Sequence, residues 1–229
     1  NKPLAEVLRP ESLNEYIGQS HLVGDGAILR SAIEKGDIPS MILWGPPGVG
    51  KTTLANIIAN TLSAPFYQLS AINSGVKEVR EVIEKAKQSD NAILFVDEIH
   101  RFSKNQQDSL LGAVEQGIVR LIGATTENPS FEVISPLLSR CQVYVLKSLE
   151  KEDLLKIIER ATGYYKQTFG RNITVKEAEA LLRISGGDAR KLMNAIELVV
   201  AQFKGDCIID NEVVCSIIQQ NLSMYDKKG

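Results

Sequence analysis

Apolar residues fall along this chain in two rhythms, and the pattern changes near residue 148. Before that point, short uninterrupted apolar runs alternate with segments whose apolar residues recur every three or four positions. The runs 41–44 (MILW), 64–72 (APFYQLSAI), 92–98 (AILFVDE), 118–126 (IVRLIGATT) and 142–149 (QVYVLKSL) have the length and composition of buried strands. Between them, Leu54, Ile57, Ile58 and Leu62 mark a helix opening at Lys51. Val79, Val82, Ile83 and Ala86 mark one face of an amphipathic helix over 76–89. A polar helix is expected near 103–115 and a short one at PLLSRC (136–141). Strands that alternate with helices and are apolar on both faces predict an α/β fold, a parallel sheet covered by helices on both faces.

Beyond Ser148 the pattern is helical only. One helix is expected over about 150–168, and a second from the capping box Thr174–Glu177. A third lies near 188–203 after two glycines, and a fourth follows Asp210, a good N-cap. The expected organisation is a nucleotide-binding αβα domain over 1–148 and a small all-helical domain over 149–229.

Composition adds mainly exclusions. The 229 residues are 44% hydrophobic and 24% charged with a net charge of −2, so bulk charge offers nucleic acid nothing and any DNA surface must be a local patch. No apolar run is long enough for a membrane helix, and NKPLAEVLRP is not a signal peptide. Cys141, Cys207 and Cys215 form no CxxC pair, and with two histidines a zinc site is not expected. Free thiols point to a cytoplasmic chain. The missing initial methionine and the ending MYDKKG suggest a piece of a longer protein.

The chemistry is concentrated after the first strand. Gly45-Pro46-Pro47-Gly48-Val49-Gly50-Lys51-Thr52 matches GxxxxGK[ST] between a strand and a helix, the context a phosphate loop requires. Glycines let backbone N–H groups close around a phosphate, and the helix points its positive end at the same anion. Lys51 is the candidate for the β- and γ-phosphates and Thr52 for Mg²⁺, with Thr53 completing the loop. Asp97 at the end of LFVDE would hold Mg²⁺, and Glu98 would orient and deprotonate the attacking water. The expected ligands are therefore ATP and Mg²⁺. A switch GTPase would need an NKxD motif, which is absent at any strand end, and a small-molecule kinase usually lacks the second acid. The DExH spelling of Asp97-Glu98-Ile99-His100 suits a large helicase, yet only about eighty helical residues follow Ser148 where a second sheet domain is required.

GPPGVGKTT, LFVDEIHRF, IGATTENPSF, LLSRC and GGDARKLMNAIE, in that order, resemble the AAA+ ATPases of the clamp-loader branch. The runs DEIHRFSKNQQD and GATTENPSFEV narrow the resemblance to the family of replication-associated recombination protein A and the Werner-helicase-interacting protein. It extends from PLAEVLRPESLNEYIGQ to about Ile218. It implies a P-loop AAA+ module with a helical lid, and a DNA-stimulated, oligomeric ATPase at stalled or gapped replication forks. Forked, gapped or junction DNA, further copies of the chain and replication proteins are the implied partners. The implied location is the bacterial cytoplasm, at the nucleoid. The family carries a further oligomerisation region after its lid, which the resemblance does not extend to here and which is expected in the longer protein.

The resemblance also assigns residues. Leu8–Pro10 and Tyr16-Ile17-Gly18-Gln19 match the segment around adenine. Thr126 matches the polar sensor of the γ-phosphate, with Thr125 and Asn128 as alternatives. Arg190 matches the second sensor, and Arg140 the arginine finger offered to a neighbouring subunit's ATP. Lys77, Arg80, Arg101 and Lys104 fall where this branch faces its DNA chamber.

Overall fold

The structure, a computed structural model, describes residues 2–228, with side chains through residue 222. Five apolar runs form its main sheet: β1 (Met41–Trp44), β2 (Phe66–Ser70), β3 (Ala92–Asp97), β4 (Val119–Thr125) and β5 (Gln142–Val145). They pair in the order β2-β3-β4-β1-β5, all parallel, so every strand ends at the same edge. Alternate side chains enter two separate cores. Met41, Leu43, Ile93, Phe95, Ile122 and Ala124 pack with residues of helices Ile28–Lys35 and Lys51–Thr61. Ile42, Leu94, Val96 and Leu121 pack on the other face with residues of helices Val76–Ala86 and Lys104–Glu115. This two-sided burial is why the central strands β1, β3 and β4 read as apolar runs, whereas the edge strand β5 leaves Val143 and Val145 exposed, against the expectation of two buried faces.

Local signals set the helix starts. Ser103 accepts from the N–H of Gln106 while the Gln106 side chain accepts from the N–H of Ser103, a reciprocal cap for Lys104–Glu115. Glu78 reaches back to the Gly75 N–H at 2.7 Å and caps Val76–Ala86. Its carboxyl is held below the ordinary range by these backbone hydrogen bonds.

Pro10–Lys147 form one unit, and the chain before Pro10 packs with the helical unit that begins at Ser148. The expected 1–148 domain is therefore shorter at its start. Leu4 is buried, and its short helix Leu4–Val7 lies against Ala189–Val200. The helical unit comprises Leu4–Val7, Lys151–Phe169, Glu179–Ser185, Ala189–Val200 and Asn211–Lys228, with a short parallel pair, β6 (Ile173–Val175) and β7 (Cys207–Ile209).

That pair corrects the all-helical expectation. Thr174 starts no helix but pairs with Ile208. Ile173, Thr174 and Val175 are β-branched and favour an extended backbone once a partner strand is offered. Glu177 instead accepts from the Asn211 N–H at 3.2 Å, and Asn211 caps the next helix by accepting from Ala180 at 2.9 Å. Arg171 closes the end of Ala189–Val200, donating to the carbonyls of Phe203 at 2.9 Å and Gly205 at 2.8 Å. Among the described residues, no helix is long and apolar enough to cross a membrane.

Candidate nucleotide site

Because β3, β4 and β1 are neighbours in a parallel sheet, the segments leaving their C-terminal ends emerge side by side, where open α/β sheets bind ligands. The loop after β1 is anchored at its root by the Gly45 N–H, which donates to the Thr125 carbonyl at 3.1 Å. It then turns through Gly48 (φ 74°) and Gly50 (φ 98°), left-handed positions suited to glycine. Helix Lys51–Thr61 opens directly from Gly50 with no side-chain cap, so its first N–H groups and positive dipole end serve the loop. The Lys51 ammonium donates to the carbonyls of Gly45 and Pro46, which holds it within the loop.

Tyr16 braces this loop from outside. Its hydroxyl contacts the carbonyls of Val49 and Gly50 at 3.2 and 3.0 Å, and burial raises its pKa well above the usual tyrosine range. Nearby, Gln19 forms a two-way bond with the backbone of Lys147, accepting from its N–H at 2.9 Å and donating to its carbonyl at 2.8 Å. The Tyr16–Gln19 segment, Ile17 and Gly18 included, is thereby fixed between the loop and the end of β5. The resemblance assigned this segment to adenine; its role as a brace joins residues 34 positions apart and leaves no local signal.

The acids sit at the end of β3. Asp97 Oδ1 accepts from the Glu98 N–H at 2.9 Å. Glu98 adopts φ 52°, an uncommon conformation for a non-glycine residue that tends to occur at functional sites. Its Oε2 is buried without a hydrogen-bond partner, although Arg101 Nε lies 3.4 Å away in ion-pair range. A buried carboxylate oxygen with unused acceptor capacity is suited to hold a water. The Thr52 hydroxyl and Asp97 carboxylate are hard oxygen donors of the kind Mg²⁺ takes, the rest of its shell coming from water and phosphate. The donor set fits that cation.

At the end of β4 the three sensor candidates separate. Thr125 is buried, bonded to His100 Nδ1 at 2.9 Å and to Glu127 on both sides of its hydroxyl. Asn128 caps helix Pro129–Glu132 by accepting from Ser130 at 3.0 Å. Thr126 is exposed just past the strand.

Arg140 follows helix Ser135–Leu138 on the same unit. Its Nη2 donates to Glu115 Oε2 at 2.7 Å and its Nη1 to the Pro136 carbonyl at 3.0 Å, with both side chains 42% exposed. Burial raises the neighbouring Cys141 thiol to about 11, so it remains protonated. Lys77, Arg80, Arg101 and Lys104 are exposed on adjacent elements whose starts are joined by Gln106 Nε2 donating to the Ser74 carbonyl at 2.7 Å. Arg190 belongs to the helical unit, in the first turn of Ala189–Val200; its N–H donates to the Asp188 side chain at 2.9 Å.

Residues 41–149 match the family described as ATPase family associated with various cellular activities (AAA), and residues 167–229 match the AAA C-terminal domain. Replication-associated recombination protein A of Haemophilus influenzae is 46% identical over 99% of this chain and 53% of its own length. The ATPase WRNIP1 of Dictyostelium discoideum is 39% identical over 99% of this chain and 29% of its own. The chain thus spans about half the length of the bacterial recombination proteins it matches. Among solved structures, the Thermotoga maritima RuvB Holliday junction branch migration motor superposes with a TM-score of 0.76 at 29% identity, covering 93% of this chain and 72% of that one.

Proposed function

The chain belongs to the AAA ATPase family, in the branch holding replication-associated recombination protein A and the ATPase WRNIP1, and from that premise we propose that it is the motor of a DNA-dependent ATPase acting at stalled or gapped replication forks. The observation that carries the ATPase reading is Glu98, whose backbone is left-handed and whose buried Oε2 accepts no hydrogen bond, one strand away from the strand carrying Thr125 and two from the phosphate loop. Lys51 balances charge on the β- and γ-phosphates, and Gly45–Thr53 cradle them. Thr52 and Asp97 hold Mg²⁺, which when bound neutralises phosphate oxygens. Glu98 positions a water for attack on the γ-phosphate and accepts its proton. Thr126 is the first sensor, since the competing hydroxyl and amide are engaged elsewhere. Arg190 serves as the second sensor on the strength of its Gly-Asp-Ala-Arg segment.

Arg140 acts on the ATP of a neighbouring copy. A solvent-facing guanidinium on a half-exposed ion pair is available to a partner, and an arginine finger is worth roughly 10³ to 10⁵ in rate. Mixing Arg140→Ala with Glu98→Gln subunits at full natural length tests this: each is inactive alone, and activity returns in mixed oligomers. If subunits exchange and no activity returns, Arg140 does not act across the interface.

Lys77, Arg80, Arg101 and Lys104 form the proposed DNA-facing patch. A second reading, a AAA+ module that loads or remodels a replication protein, is favoured by Glu81 and Glu84, which place negative charge on the same helix, Val76–Ala86, as Lys77 and Arg80. Turnover measured with and without forked or gapped DNA separates the two. Stimulation supports a DNA-dependent motor, and indifference to every DNA favours a protein substrate.

A further inference from the structure

Glu115 is the last residue of helix Lys104–Glu115, a place where the helix dipole opposes a carboxylate, and the last turn contains no basic residue. The compensating cation comes from another element, through the 2.7 Å bond from Arg140 Nη2. An ion pair this exposed contributes little to stability. The pair therefore asks for another reason, and its geometry supplies one. Glu115 and the Pro136 carbonyl engage one N–H on each terminal nitrogen of the guanidinium. Of its five donors, three are left for an incoming anion.

We infer that Glu115 is a positioning residue for Arg140: it fixes the guanidinium before assembly, so that the free N–H groups meet the γ-phosphate of the neighbouring copy already oriented. The inference rests on the trans role proposed for Arg140 and names the group that makes that role efficient. An unrestrained arginine loses its rotamer freedom when it docks, whereas one held at two of its N–H groups has lost it on folding. Glu115 touches no substrate and acts only through Arg140. Its removal is therefore felt in the neighbouring copy's site, through Arg140.

The test uses assembled protein at full natural length and four variants: Glu115→Ala, Glu115→Gln, Arg140→Ala and Glu98→Gln. Glu115→Ala lowers kcat about tenfold with the KM for ATP unchanged, the size expected from releasing part of an arginine's rotamer freedom. Glu115→Gln, isosteric and still an acceptor, loses less. When Glu115→Ala is mixed with Glu98→Gln, whose Glu115–Arg140 pair is intact, turnover at the Glu115→Ala sites recovers. Wild-type turnover in Glu115→Ala, or a deficit that mixing does not relieve, overturns the proposal. Arg140→Ala reports separately on the parent reading. Full activity there sinks the finger, whereas an inactive Arg140→Ala beside a fully active Glu115→Ala removes only Glu115.

Discussion

Replacing Gly50 by alanine loads two separable costs onto the phosphate loop. The backbone there sits at φ 98°, and an added Cβ would lie 2.7 Å from the Tyr16 hydroxyl and 3.0 Å from its Cε1. Holding a non-glycine residue in a left-handed conformation costs about 1–2 kcal/mol. Moving Tyr16 aside forfeits its contact with the Val49 and Gly50 carbonyls, worth about 1 kcal/mol. A loop that pays about 2–3 kcal/mol to reach its binding-competent shape binds ATP roughly 30- to 150-fold more weakly. The assay is nucleotide affinity by fluorescence titration of Gly50→Ala, Tyr16→Ala and the double variant. If the clash is real, Tyr16→Ala relieves part of the Gly50→Ala defect, so the two losses do not add. Affinity within threefold of wild type in Gly50→Ala would refute the reasoning.

Three other outcomes follow from the same geometry. Lys51→Ala removes the charge proposed to face the β- and γ-phosphates and is expected to weaken ATP binding by about 2–5 kcal/mol, read by calorimetry. Removing two of Lys77, Arg80, Arg101 and Lys104 flattens the slope of log DNA affinity against log salt by roughly 0.7–0.9 for each lost phosphate contact. An unchanged slope leaves them as solvated surface charge. Asp188→Ala strips the cap that accepts from Arg190 and Lys191 and destabilises the helical unit by about 0.5–2 kcal/mol in urea unfolding.

What was legible in the sequence was what is local. The apolar runs and the GxxxxGK[ST] spacing carry their own context, so the strands and the loop were readable without a partner. What was not legible depends on partners far along the chain. Thr174 and Glu177 look like a capping box until Cys207–Ile209 offers a strand to pair with. Leu4 looks like an arm of the first domain until its burial against Ala189–Val200 is seen. The positions of Thr125, Thr126 and Asn128 relative to the strand end were not legible either: β4 stops at Thr125, whose hydroxyl bonds to His100. Neither Tyr16 beneath Gly50 nor Glu115 beside Arg140 has a sequence signature, because each bond joins residues 25 or more positions apart.

The central claim is that Glu98 activates the water that attacks ATP, and Glu98→Gln tests it most directly. The amide keeps the size of the carboxylate but cannot accept the proton. ATP binding should remain near wild type while single-turnover hydrolysis falls by about 10²–10⁴-fold, the range for a lost general base. Hydrolysis at a near-normal rate by Glu98→Gln would contradict the account.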